Sequence, residues 1–209
     1  AADDLGFIWF GGPNGLNVYD GNSMYTIPFG EGERQINGKR VFQILRSDSN
    51  HMLVATDKGI CRINVRNFGT ENLVFTARKE NLAKANHIQQ ILMSKSGLIW
   101  VMSMAGVHLV NREFKIHKSW YFPDHVISNA TAVQHDRMLL FPDDHIWLVS
   151  VDTSDNSNAS HKPNILELGK DYLDFKKLKP NQNLLEGKHI LFINLNDTLG
   201  LVISGSINQ

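Results

Sequence analysis

The chain has 209 residues, 42% of them apolar and 20% charged, enough for one sizeable core or two small ones. Its 21 lysines and arginines balance 21 aspartates and glutamates, so the concentrated basic field that a nucleic-acid partner requires is missing. The single cysteine, Cys61, excludes an internal disulfide and any cysteine-based zinc site, and no apolar run approaches the ~20 residues of a membrane helix.

Read from its first residue, the chain opens on "AADDLGFIWFGGPNGLNVYDG". An acidic start does not fit a secretory leader, and an opening directly on a strand pattern suggests a piece of something longer. Within the stretch an aromatic apolar run, a glycine turn and a second alternating run predict two paired strands. A short run, "MYTIPF", follows as a third strand. The apolar run "RVFQIL" from residue 40 then precedes "SDSNHMLVATDKGICRINV", which repeats the opening with Asn50 in the place of Gly6 and Leu53 in the place of Trp9. "NLVFTA" closes that period. "HIQQILM" from residue 87 leads to the strongest second copy, "SKSGLIWVMSMAGVHLVNREF", where Gly97, Trp100 and Gly106 stand as Gly6, Trp9 and Gly15 do, and "FKIHKSW" closes it. "RMLLF" from 137 leads to Trp147 in "PDDHIWLVSV", and "LDFKKL" follows. "HILFINL" from 189 leads to the degenerate "NDTLGLVISGS", with Leu201 in the tryptophan position.

The positions Trp9, Leu53, Trp100, Trp147 and Leu201 are spaced 44, 47, 47 and 54 residues apart. Periods of about 40 to 50 residues, each with four short strands split by Gly, Asn, Asp and Ser turns, predict propeller blades. The expected fold class is therefore all-β: four-stranded antiparallel blades, as a partial propeller of about four to five blades spanning 1–209. Blade boundaries are expected near 1–36, 37–84, 85–128, 129–185 and 186–209. No long stretch carries a 3.6-residue period, so the helical content is expected to be close to nil. A tryptophan recurring at one place in successive blades is expected to pack between neighbouring sheets.

The same residues resemble the two-component regulator propeller repeat, whose pattern is Asp-x-x-Gly-x-hydrophobic-Trp, a small-residue turn, then Gly-Leu and an aromatic-Asp. Asp3, Gly6, Ile8, Trp9, Gly15, Leu16, Tyr19 and Asp20 fall on it. The copy at Trp100 keeps Gly97, Ile99, Gly106 and Val107 but has Ser94 for the leading Asp. The resemblance implies the periplasmic sensor region of a hybrid two-component system of the Bacteroides type, in which the propeller binds an oligosaccharide and a membrane helix and histidine kinase follow. It implies an extracytoplasmic location and a chain that is itself no enzyme and carries no cofactor. A second resemblance stays open: "ADDLGFIW" also fits the Asp-box pattern Ser/Ala-x-Asp-x-Gly-x-x-Trp of sialidase-like propeller glycosidases, with Asp4 as the box aspartate and Lys95 in its place in the other copy.

Candidate chemistry is sparse. His135-Asp136 and Asp143-Asp144-His145 have the donor types of a metal site, against the plainer reading of a solvated turn, and no metal is expected. "DTSDNSNAS", residues 152–160, lacks the glycine and closing Glu of a calcium loop. The ligand-facing candidates are Trp120 and Tyr121, adjacent aromatics on which a sugar ring could stack, with Arg112, His117 and His125 to orient it. The alternative is that one aromatic packs within the blade and the other covers its edge. Because an unclosed propeller leaves sheet faces without neighbours, the chain is also expected to self-associate as a homodimer through open faces near Trp9 and Leu201.

Overall fold

A computed structural model describes residues 1–122 and, beyond them, six strands. The chain divides into two units, Ala1–Gln134 and His135–Gln209. In the first unit, β1 (Ile8–Gly12), β2 (Gly15–Tyr19) and β3 (Met24–Ile27) form one antiparallel sheet. A second sheet holds β4 (Val41–Arg46), β5 (His51–Thr56), β6 (Gly59–Asn64) and β7 (Thr70–Leu73) in sequence order. A third holds β8 (Ile88–Met93), β9 (Ile99–Ser103), β10 (Gly106–Val110) and β11 (Ile116–Tyr121), again in order. In the second unit, β12 (Arg137–Leu140), β13 (Ile146–Val151), β14 (Pro163–Leu168) and β15 (Phe175–Leu178) form another four-stranded antiparallel sheet. β16 (Lys188–Leu195) pairs with β17 (Thr198–Gly205). These consecutive four-stranded sheets are propeller blades. In the first sheet Ala2 bridges Ile8, and Ala1 and Trp9 exchange backbone hydrogen bonds of 3.0 and 2.8 Å, so the chain's first residues already pair where the first strand of a blade belongs.

Side-chain alternation along β5 explains how the sheets stack. Met52 and Val54, with Cys61 and Ile63 opposite them on β6, join Trp9, Leu16 and Val18 of the first sheet in one buried cluster. The intervening Leu53 and Ala55 join Ile88, Ile91, Ile99 and Val101 of the third sheet in another. Every residue from Met52 to Thr56 is therefore buried, and the strand reads as a continuous apolar run because both its faces are covered. Trp9 and Leu53 both face the following sheet; Met52 and Ile99 both face the preceding one. β1 and β4 come close together: a Cβ on Gly11 would lie 2.2 Å from Val41 Cγ1. Here Gln43 of β4 clasps β8, its Nε2 donating to Ile91 O (2.9 Å) and its Oε1 accepting from Ile91 N (2.8 Å). One side-chain amide thus acts as one rung of a sheet ladder between two blades.

The turn before each tryptophan-type strand is built the same way three times. Asp3 N donates to Phe7 O, Ser47 N to His51 O and Ser94 N to Leu98 O, at 3.1, 2.9 and 2.9 Å. Gly6 and Gly97 stand in this turn at φ +86° and +80°, a conformation that favours glycine. The turns from third to fourth strand also repeat. Asp20 Oδ1 accepts from Asn22 N and Ser23 N, Asn64 Oδ1 from Arg66 N, and Asn111 Oδ1 from Lys115 N. These short oxygen side chains satisfy turn donors that no strand reaches.

The helical content is small, as expected, and among the described residues it lies in one connector. Lys79–Asn81 forms a 3₁₀ turn and Leu82–Asn86 a short α-helix, α1. Leu82, Ala83, Lys84 and Ala85 are good helix formers, and the segment is too short for a 3.6-residue period to register. Buried Asn86 anchors it: Oδ1 accepts from Phe75 N at 2.7 Å and Nδ2 donates to Phe75 O at 2.8 Å.

Candidate functional site

The leading carboxylate of the first repeat is a structural group. Asp3 is buried; Oδ1 accepts from Leu5 N and Phe7 N at 3.0 and 2.9 Å, and Oδ2 accepts from Trp9 Nε1 at 2.8 Å. Asp4, the Asp-box position, is exposed and pairs with Arg46 on the surface. The turn is therefore organised by the aspartate of the two-component propeller pattern and not by that of the Asp box.

The predicted ligand-facing residues do not converge. Trp120 is buried on the same face as its register partner Val107, its ring stacked on Trp100 at 5.9 Å with Lys118 Nζ 5.0 Å from its ring centre. Tyr121, its chain neighbour, points to the other face of the sheet, is 44% exposed and donates its hydroxyl to Thr76 O. Arg112 sits in the turn at the far end of the β10–β11 hairpin, about 13 Å of strand from Trp120. Its Nε donates to Ser96 O and its own carbonyl accepts from Arg62 Nη1 at 3.1 Å. His117 is exposed in mid-strand. His125, the groups from His135 to His145, residues 152–160 and the side chains of Trp147 and Leu201 lie outside the described residues. A Cβ on Gly106 would lie 2.1 Å from Trp120 O, which is why this hairpin position takes glycine.

The end of the sheets that carries the connectors shows a second set of groups. In β4 the pairing register slips between Val41 and Gln43, and in β8 between Ile88 and Gln90. These bulges, at equivalent positions of two repeats, leave Phe42 and Gln89 out of the ladder and re-aim them. Phe42 is exposed and its ring lies 4.7 Å from that of half-buried His87. Burial lowers the pKa of His87; Asp57 pulls it back up and Arg40 adds to the lowering. Asp57 is tied to Arg40 by two backbone contacts, Arg40 N to Asp57 Oδ1 (3.2 Å) and Asp57 N to Arg40 O (3.1 Å). An open polar hollow of about 430 Å³ lies elsewhere, among Glu33, Arg34, His51, Asn64, Thr70 and Glu71.

Two buried polar groups occupy equivalent places on the third strands of successive blades. Cys61 Sγ lies within hydrogen-bond reach of Asn72 Oδ1 (2.7 Å) and Asn37 Oδ1 (3.0 Å), so that its single S–H can donate to either, and burial pushes its pKa up to about 12. His108 stacks on Phe75 at 4.0 Å between the hydroxyls of Ser103 (3.2 Å) and Ser119 (2.9 Å), and burial lowers its pKa to about 3. A thiol held protonated and an imidazole held neutral between serine hydroxyls are core groups, poorly suited to nucleophilic or acid–base work. They could have been found by aligning the repeats at the 47-residue spacing, which sets Cys61 over His108, Asn72 over Ser119 and Thr56 over Ser103.

No protein-family profile matches the chain, and no curated protein does. Its fold is similar to part of the extracellular domain assigned to a one-component system of B. thetaiotaomicron, with TM-score 0.56 and 17% identity over 92% of this chain and 23% of that one. The extracellular domain assigned to a hybrid two-component system of the same organism matches with TM-score 0.58 and 13% identity over 97% of this chain and 25% of that one. The tricorn protease also matches, with TM-score 0.51 and 11% identity over 84% of this chain and 16% of that one. The chain spans about a quarter of the length of the two extracellular domains. That a protease shares the blades shows that this fold does not by itself choose a function. Among the described residues no helix is long and apolar enough to cross a membrane.

Proposed function

We propose that this chain is part of an extracytoplasmic sensor module that binds an oligosaccharide without turning it over, and whose occupancy is read by a histidine kinase elsewhere in a longer protein. The observation that carries this reading is the repeat itself. Its Asp3–Gly6–Trp9 turn follows the two-component propeller pattern, and its blades match extracellular domains assigned to one- and two-component systems. Ligand contact is proposed at exposed aromatic faces: Tyr121, and Phe42 beside His87. Trp120, stacked on Trp100 on the other face of the strand, and Arg112, held in the hairpin turn, are not part of that surface. The glycosidase reading loses its motif, because Asp4 plays no part in the turn.

The test is calorimetric titration of the chain with a panel of neutral oligosaccharides and sialosides, each mixture then analysed for products. Saturable binding with intact ligand, weakened by Tyr121→Ala or Phe42→Ala, is the expected result. Release of sialic acid or shortened glycans would overturn it.

A further inference from the structure

Where the β3–β4 connector enters the second sheet, charges gather that the repeat does not require. Half-buried His87 is the centre of the group, with the exposed ring of Phe42 4.7 Å from its imidazole. The charges of Asp57 and Arg40 both reach it. These two are tied through the backbone, Arg40 N donating to Asp57 Oδ1 and Asp57 N to Arg40 O. Arg40 is thus held by its main chain, and its exposed guanidinium forms no ion pair among the described residues. Exposed Lys39 and Lys58 form none there either. Lys58 stands in the β5–β6 turn, where Asn37 Nδ2 donates to its carbonyl at 2.7 Å. Within the group, three cations therefore face one carboxylate. By contrast, Arg46 at the other end of β4 pairs with Asp4, and Arg62 pairs with Glu71. At the 47-residue spacing the third repeat has Asn86, His87, Gln89, Met104 and Ala105 where the second has Lys39, Arg40, Phe42, Asp57 and Lys58. A blade is built there without one of these charges.

Building on the sensor reading, on which this step rests, we propose that the group binds an acidic saccharide, its ring on Phe42 and its carboxylate toward Arg40 and Lys58. A guanidinium without an ion-pair partner presents a planar fork that matches a carboxylate, and lysine ammonium groups beside it add attraction without fixed geometry. A phenyl face next to them takes the apolar side of a sugar ring. The bulge between Val41 and Gln43 takes Phe42 out of the ladder and brings its ring to His87. Burial holds the His87 imidazole below its ordinary pKa, so at neutral pH it offers hydrogen bonds without a further charge. Asp57 is an acceptor for sugar hydroxyls. A simple anion has no use for the aromatic face, and a neutral sugar has none for the cations. The chemistry shared by both halves of the group is that of a sugar carrying a carboxylate.

Calorimetric titration of the 209-residue chain tests this with two matched pairs, trigalacturonate against galactotriose and sialyllactose against lactose. At least one acid should bind ~10-fold or more tightly than its neutral counterpart, with the gap closing as salt is raised. Arg40→Gln, which keeps the backbone bonds to Asp57, should bring the acid down to the level of the neutral sugar. Lys95→Gln, in the exposed turn at the other end of the third sheet, should keep the gap. Phe42→Ala should weaken the acid as well. Equal affinities within both pairs, a gap untouched by Arg40→Gln, or full affinity in Phe42→Ala would overturn the proposal and leave the sensor reading standing. A chain that binds none of the four would also overturn it, and the sensor reading falls with it only if the wider oligosaccharide panel fails too.

Discussion

Trp9 donates its indole Nε1–H to Asp3 Oδ2 across 2.8 Å, with both side chains buried. The same carboxylate holds the backbone N–H groups of Leu5 and Phe7. Three donors therefore depend on one side chain, and two of them set the turn that delivers the tryptophan to the next blade. Asp3→Ala is expected to lower unfolding free energy by ~2–4 kcal/mol, since it strands buried donors as well as deleting bonds. Ser94→Ala, which removes one hydroxyl accepting from Leu98 N at 3.1 Å, should lower it by only ~1 kcal/mol. Urea titrations followed by tryptophan fluorescence measure both. Equal losses would contradict the role given to Asp3.

Cys61 should behave as a core residue. Its thiol pKa is pushed up to about 12 by burial, and its single S–H has an asparagine oxygen to donate to on either side. In the folded chain it should resist alkylation by iodoacetamide at pH 8, and labelling should track unfolding in urea. Because its folded pKa is raised, its contribution to stability is present below the unfolded thiol value near 9 and is lost as pH rises toward 12. Stoichiometric labelling without denaturant would refute the placement.

His108 has the opposite linkage. Its pKa falls from the ordinary 6.5 to about 3 in the folded chain, because burial disfavours the imidazolium. Below pH 6.5 the unfolded chain takes up a proton that the folded chain refuses. Stability should therefore fall as pH drops from 6.5 toward 3, with a limiting slope of ~1.4 kcal/mol per pH unit from this residue. His108→Gln, which keeps hydrogen-bonding capacity between Ser103 and Ser119, should flatten that part of the profile. Denaturation midpoints at a series of pH values decide it; an unchanged slope in the variant would show that His108 is not the group responsible.

Much of the fold could be read from the residues because period and alternation survive loss of individual motif positions. Leu53 stands where Trp9 and Trp100 do, and its strand was still placed correctly as β5. The place of the short connector helix leaves no mark in the sequence because five residues cannot show a helical period. The bulges at Phe42 and Gln89 were missed because they live in backbone pairing, which leaves no mark in the side-chain pattern. The candidate site was the least legible part. "WY" reads as one aromatic platform, but neighbours on a strand face opposite ways, so Trp120 went to the core and Tyr121 to the surface.

Successive blades stack face to face, and where their first strands meet they are locked by the Gln43 amide on the backbone of Ile91, closed at 2.9 and 2.8 Å. Its two hydrogen bonds join blades whose nearest strands are otherwise held by packing, so Gln43→Ala should destabilise the chain by ~1–3 kcal/mol. The most direct measurement is amide hydrogen exchange at Ile91, residue-resolved, in the wild type and in Gln43→Ala. The account predicts an Ile91 amide protected in the wild type and exchanging at least ~10-fold faster in the variant, while Val101, paired within its own sheet, keeps its protection. An Ile91 amide that exchanges freely in the wild type, or that is unmoved by the loss of Gln43, would contradict it.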